Sequence, residues 1–142
     1  MYQQLASSRF DSLVLSEKLT SGLETLGGDA ATQRRNAIWL VRFALEFFRS
    51  AAMKLSDYTQ GAVISTAVAF ATRLRADSPE DHEFVISLFE RVADTEKQIN
   101  MNVAVPRCLE ALCDDLGRKL RRREAWESGV FFRSAPQTSA QS

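Results

Sequence analysis

Apolar residues recur along this chain at spacings of three and four, and nowhere do they alternate strictly with polar residues over the length of a strand. The pattern predicts helices and no sheet. Leu15, Leu19, Leu23 and Leu26 form one stripe, flanked by Phe10 and Val14, and predict a first helix over about 8–26. Gly27-Gly28 supplies the left-handed stop that ends it, and Asp29 is placed to cap the next helix. That second helix carries Ala37-Ile38-Trp39-Leu40-Val41, Phe43-Ala44-Leu45 and Phe47-Phe48, with polar side chains at 35, 42, 46, 49 and 50 on one narrow strip. A helix apolar around most of its girth is a central one, so the helix of Trp39, Phe43 and Phe47 is placed in the middle of the fold. Arg42, Glu46 and Arg49, four and three apart on the strip, are expected to pair with each other.

A third segment, over about 57–75, surrounds Val63, Ile64, Val68, Phe70 and Leu74 with small residues: Ala62, Ser65, Thr66, Ala67, Ala69, Ala71 and Thr72. Small side chains allow close approach, so this helix is expected to pack tightly on the aromatic second one. Ser78-Pro79-Glu80-Asp81 marks the next start, with a hydroxyl cap, proline at the first helical position and acids in the first turn. Val85, Leu88, Val92 and Ile99 form its core stripe, with Phe84 and Phe89 beside it. The fifth helix starts at Pro106 and carries Leu109, Leu112, Cys113, Leu116 and Leu120 on one face; the next core positions fall on Arg123 and Glu127, where the stripe stops. Residues 134–142 have the composition of a flexible tail. The expected fold is all-α, a compact single-domain bundle of about five helices over 1–133 with a central aromatic-rich helix.

Composition narrows the class further. The chain has 142 residues, 45% of them hydrophobic and 25% charged, and includes 6 Gly and 3 Pro. Those proportions exclude a collagen-like, disordered or disulfide-scaffold chain. Lys+Arg 18 against Asp+Glu 18 gives no domain-wide basic excess of the kind nucleic acid requires. Cys108 and Cys113, five apart, lie out of register for a local disulfide and read as buried thiols, which fits a reducing compartment. With one histidine, His82, they cannot compose a zinc cluster. Residues 1–6 lack the basic and apolar regions of a secretory signal, and Arg42, Glu46, Arg49 and Lys54 interrupt the apolar stretch 37–55 too often for a membrane span. A soluble intracellular protein is expected, without a named compartment.

Charge is uneven although the total cancels. Positions 77–97 hold Asp77, Glu80, Asp81, Glu83, Glu90, Asp94 and Glu96 against Arg91 and Lys97, while Arg118, Lys119, Arg121, Arg122 and Arg123 form a basic block. A dipolar molecule is expected, whose basic block reads either as a solvated helix end or as a docking surface for an acidic protein, a membrane headgroup layer or a nucleic-acid backbone. Trp126, Phe131 and Phe132 follow outside the amphipathic stripe, as aromatics that either fold back over the bundle or enter a partner.

Catalytic chemistry lacks its parts. Nucleophilic mechanisms need a base near Ser, Cys or Thr, and His82 sits in an expected solvated first turn. Asp114-Asp115 point about 100° apart on a helix and lack an apolar setting. No catalytic residue, metal or cofactor is expected. Ile38-Trp39-Leu40-Val41-Arg42, with Asp11 and Lys18 upstream and His82 downstream, resembles the sugar-headgroup site of the glycolipid transfer proteins, all-helical lipid carriers. Leu15 stands where that family has an asparagine, and the chain is short for that fold, so only the idea of a helix pair parting around an acyl chain is kept. The expected function is a non-enzymatic helical interaction module or accessory subunit. Its partner is a protein or a second copy, bound through Arg118, Lys119, Arg121, Arg122, Arg123, Trp126, Phe131 and Phe132. The alternatives are a lipid carrier and a binder of nucleic acid or another anionic surface through the basic block.

Overall fold

A helix can start where a short polar side chain takes up a backbone N–H that the helix leaves unsatisfied, and three of the five described helices do so. The computed structural model describes Gln3 and residues 10–57 and 63–127, with the backbone alone over 124–127. Val14 N–H donates to Asp11 Oδ1 at 3.0 Å to open α1 (Ser12–Leu26). Thr32 N–H donates to Asp29 Oδ1 at 2.8 Å to open α2 (Ala30–Leu55). The link between them is tight: Gly27 and Gly28 have φ of 68° and 95°, and a Cβ on Gly28 would lie 2.8 Å from Thr32 Cγ2.

α3 (Ser65–Ala71) has no side-chain cap, and Ile64 N–H donates instead to the buried Ser50 Oγ at 3.3 Å, tying it to α2. Ser78 caps α4 (Pro79–Asn100), whose first residue is the proline expected there. A turn with Asn102 at φ 65° leads into α5 (Val105–Glu127). α2 packs on α4, α4 on α5, α5 on α1 and α1 back on α2, which closes a four-helix bundle; α3 lies outside it against α2. Among the described residues the fold is all-α.

The core follows the sequence stripes closely on α4 and α5. Val85, Leu88, Val92 and Ile99 are all within 1% of full burial, and removing side chains of this size from water contributes about 1.5–3 kcal/mol each. Thr95 fills the gap in that stripe, fully buried, and its hydroxyl accepts from Arg91 Nη1 at 2.9 Å. Leu109, Leu112, Cys113 and Leu116 are buried on α5. Phe47, Phe48 and Phe70 form a ring cluster between α2 and α3, with centroids 5.2 to 6.1 Å apart, as the small residues around Phe70 allow.

Elsewhere the structure corrects the sequence reading. Leu26 is 70% exposed, because Gly27 ends α1 before its last stripe position meets a neighbour. α1 starts at Ser12, capped by Asp11, and residues 8–9 of the expected first helix lie outside the described residues. The third helix, expected over about 57–75, is described only as the seven residues of α3; 58–62 lie outside the described residues. A helix so short covers only part of α2. Phe47 and Phe48 lie beneath it, while Trp39 and Phe43 on the preceding turns stay 53% and 49% exposed. The aromatic helix is central, but two of its four aromatic side chains, Trp39 and Phe43, are about half exposed.

Candidate docking surfaces

The basic block divides into two groups. Arg123 lies seven residues beyond Leu116 and so on the same face of α5, pointing inward. Its Nε donates to Asp81 Oδ1 at 2.8 Å and its Nη2 to Asp81 Oδ2 at 2.9 Å, and Arg75 N–H donates to the same carboxylate at 2.7 Å. The pair is nearly enclosed, with 14% of the Arg123 side chain and 5% of the Asp81 side chain exposed. Burial works against the Asp81 charge, but the Arg123 bonds and the Arg75 N–H outweigh it and hold the carboxyl below its ordinary range. Arg91 pairs with Asp115 at 2.5 Å, and Arg118 pairs with both Asp114 and Asp115. Burial raises the Asp115 carboxyl, and the bonds from Arg91 and Arg118 bring it below the usual value.

These pairs reverse part of the charge expectation. Asp81 with Arg123 and Arg91 with Asp115 show that α4 and α5 run antiparallel. The acidic element and the basic one therefore neutralise each other where they meet. Arg118 and Arg123 are engaged inside the chain, and Asp81 is a buried anchor instead of a solvated first-turn acid. Arg121 and Arg122 are exposed and Lys119 is half-buried, and among the described residues none of the three has a carboxylate partner. Trp126 belongs to the last turn of α5, with its side chain outside the description, and Phe131 and Phe132 lie outside the described residues.

A second surface, which sequence reasoning missed, lies on α2. The Trp39 and Phe43 rings are 6.3 Å apart, and the Arg42 guanidinium sits 5.8 Å from the Trp39 ring centre. Arg42 does not join the Glu46 pairing expected of it; it crosses to α4 and meets Glu96 at 3.0 Å, while Arg49 alone pairs with Glu46. The signal was present in the sequence: Trp39 lies on the same side of the helix as the polar positions 35, 42, 46, 49 and 50, with Phe43 at its edge.

The other candidates have local explanations. Cys108 and Cys113 are buried free thiols; burial raises both, Cys113 to about 12, and Arg91 partly opposes the rise at Cys108. His82 is half-buried, with Nε2 bonded to the Ala76 carbonyl at 2.8 Å. Asp11 caps α1, Arg42 meets Glu96 and His82 holds Ala76, so three residues of the headgroup-site resemblance each have a separate local partner. A groove of about 510 Å³ between α1 and α5, lined by Ser12, Leu13, Ser16, Arg107, Glu110, Ala111 and Asp114, is open to the surface and is not a closed cavity. Among the described residues no group of three His, Cys, Asp or Glu is placed to hold a metal, and no helix is long and apolar enough to cross a membrane.

No family model, curated protein or solved structure matches this chain.

Proposed function

We propose that this chain is a non-enzymatic helical interaction module, an accessory subunit that docks an acidic protein partner through the end of α5. One observation carries the reading. The Asp81–Arg123 pair holds the end of α5 against the bundle, while Lys119, Arg121 and Arg122 beside it have no carboxylate among the described residues. Cations held on a rigid helix end steer an acidic surface into one orientation. In this reading Trp126, Phe131 and Phe132 follow them as apolar anchors that enter the partner.

The test compares the tagged full-length chain, isolated from its native source, with Lys119→Glu/Arg121→Glu/Arg122→Glu and with Phe131→Ser/Phe132→Ser. The wild type is expected to bring down a stoichiometric protein that both variants lose, with circular dichroism and melting temperature unchanged. The reading fails if both variants retain the same partner. It also fails if the captured species is nuclease-sensitive nucleic acid whose binding falls steeply with salt.

A further inference from the structure

α2 and α4, bridged at the surface by Arg42 and Glu96, carry two exposed patches of opposite charge. On α2, Trp39 and Phe43 are 53% and 49% exposed, next to Arg42 and one turn after the exposed Arg35. On α4, Ile86 and Phe89 are 51% and 37% exposed, flanked by the exposed Glu83 and Glu90. Arg35, Glu83 and Glu90 make no ion pair among the described residues. One patch is aromatic and basic, and the other is apolar and acidic.

Their placement follows from the direction of α4. Asp81, near its start, holds Arg75, five residues beyond the Phe70 ring that packs on Phe47 and Phe48 in the second half of α2. Fifteen residues after Asp81, Glu96 meets Arg42. α4 therefore runs back along α2. At 1.5 Å per residue, Trp39 lies about 5 Å from the Arg42–Glu96 bridge toward one end, and Phe89 and Ile86 about 10–15 Å toward the other. Adding the spacing between packed helices puts the two patches about 15–20 Å apart.

The geometry points to a second copy of this chain as the occupant: the α2 patch of each copy seats on the α4 patch of the other. A two-fold axis midway between the patches brings both complementary pairs together at once. Arg35 then faces Glu83 and Glu90 across each contact, and Trp39 and Phe43 cover Ile86 and Phe89. Two helices side by side, about 20 Å wide over about 30 Å, offer about 600 Å² per copy, the lower limit for a specific interface. The dimer is therefore weak and depends on concentration. It uses neither the end of α5 nor the partner proposed for it, and it stands or falls separately.

Sedimentation velocity on the full chain from about 1 to about 100 µM is expected to show a monomer–dimer equilibrium that weakens with salt. Trp39→Ser/Phe43→Ser should weaken it about tenfold or more without changing helicity or melting temperature. Arg35→Glu alone and Glu83→Lys/Glu90→Lys alone should each weaken self-association, because every contact then sets like charges together. Mixing these two variants should restore a 1:1 heterodimer, since both contacts become complementary again. Lys119→Glu/Arg121→Glu/Arg122→Glu should leave the dimer intact. A monomeric wild type at about 100 µM overturns the inference. So does a dimer indifferent to the α2 and α4 substitutions, one lost only on deleting residues 128–142, or charge variants that fail to recombine.

Discussion

Asp81→Asn removes the charge from the most enclosed ion pair described here, and its cost can be worked from the structure. The substitution strips the anion from two Arg123 bonds at 2.8 and 2.9 Å and weakens the acceptor of Arg75 N–H. Breaking one side of a buried pair costs about 3–5 kcal/mol. With 14% of the Arg123 side chain exposed and able to recover some water, the low end applies, about 3 kcal/mol. In a chain of this size that lowers the melting temperature by about 10 °C. Urea unfolding followed by circular dichroism at pH 7 measures it. Asp81→Asn/Arg123→Met should recover part of the loss, because it removes the buried cation that Asp81→Asn leaves unpaired, while the asparagine can still accept from Arg75 N–H. The pH dependence gives a second reading of the same pair. The Asp81 carboxyl is held below its ordinary value, so its contribution is complete above about pH 4 and is lost as pH falls through the lowered native value. The gap between wild type and Asp81→Asn should therefore close in acid. A cost below about 0.5 kcal/mol at pH 7, within the range of ordinary surface changes, would refute the reasoning and return Arg123 to the pool of docking cations.

Leu88→Ala, at a fully buried position, should cost about 2–5 kcal/mol in urea unfolding, whereas Ile86→Ala, 51% exposed on the same helix, should stay within about 0.5 kcal/mol. Gly117→Leu should cost about 1–3 kcal/mol by overpacking, because even a Cβ there would lie 3.3 Å from Ser12 Cβ and 3.5 Å from Phe10. Hydrogen exchange in α1 should speed up with it. Thiol titration at pH 8 should find Cys108 and Cys113 unreactive in the folded chain and both reactive in denaturant, since burial raises both thiols, Cys113 to about 12. Fast native labelling at Cys113 would contradict its enclosure.

Much of the candidate site depended on distinguishing two kinds of cation within one run. Spacing already put Arg123 on the inward face of α5, and Asp81, four residues before Val85, on the inward face of α4. Each looked like a polar end to an apolar stripe until the antiparallel hairpin set them opposite each other. Trp39 and Phe43 were misjudged for the opposite reason. Their hydrophobicity argued for burial, while their angular position, on the polar strip of α2, argued for exposure, and the strip was the better guide.

The sequence by itself determined what is local. It set where helices begin and end, through Asp11, Asp29, Ser78 and the Gly27-Gly28 stop, and which stripe of α4 and α5 turns inward, because caps and a 3.6-residue period act within a few residues. Tertiary structure decided which side of α2 a short α3 would leave open and which arginines a distant carboxylate would capture. Those outcomes depend on how far one helix reaches along another and on residues 42 to 54 positions apart, and no local spacing encodes that distance.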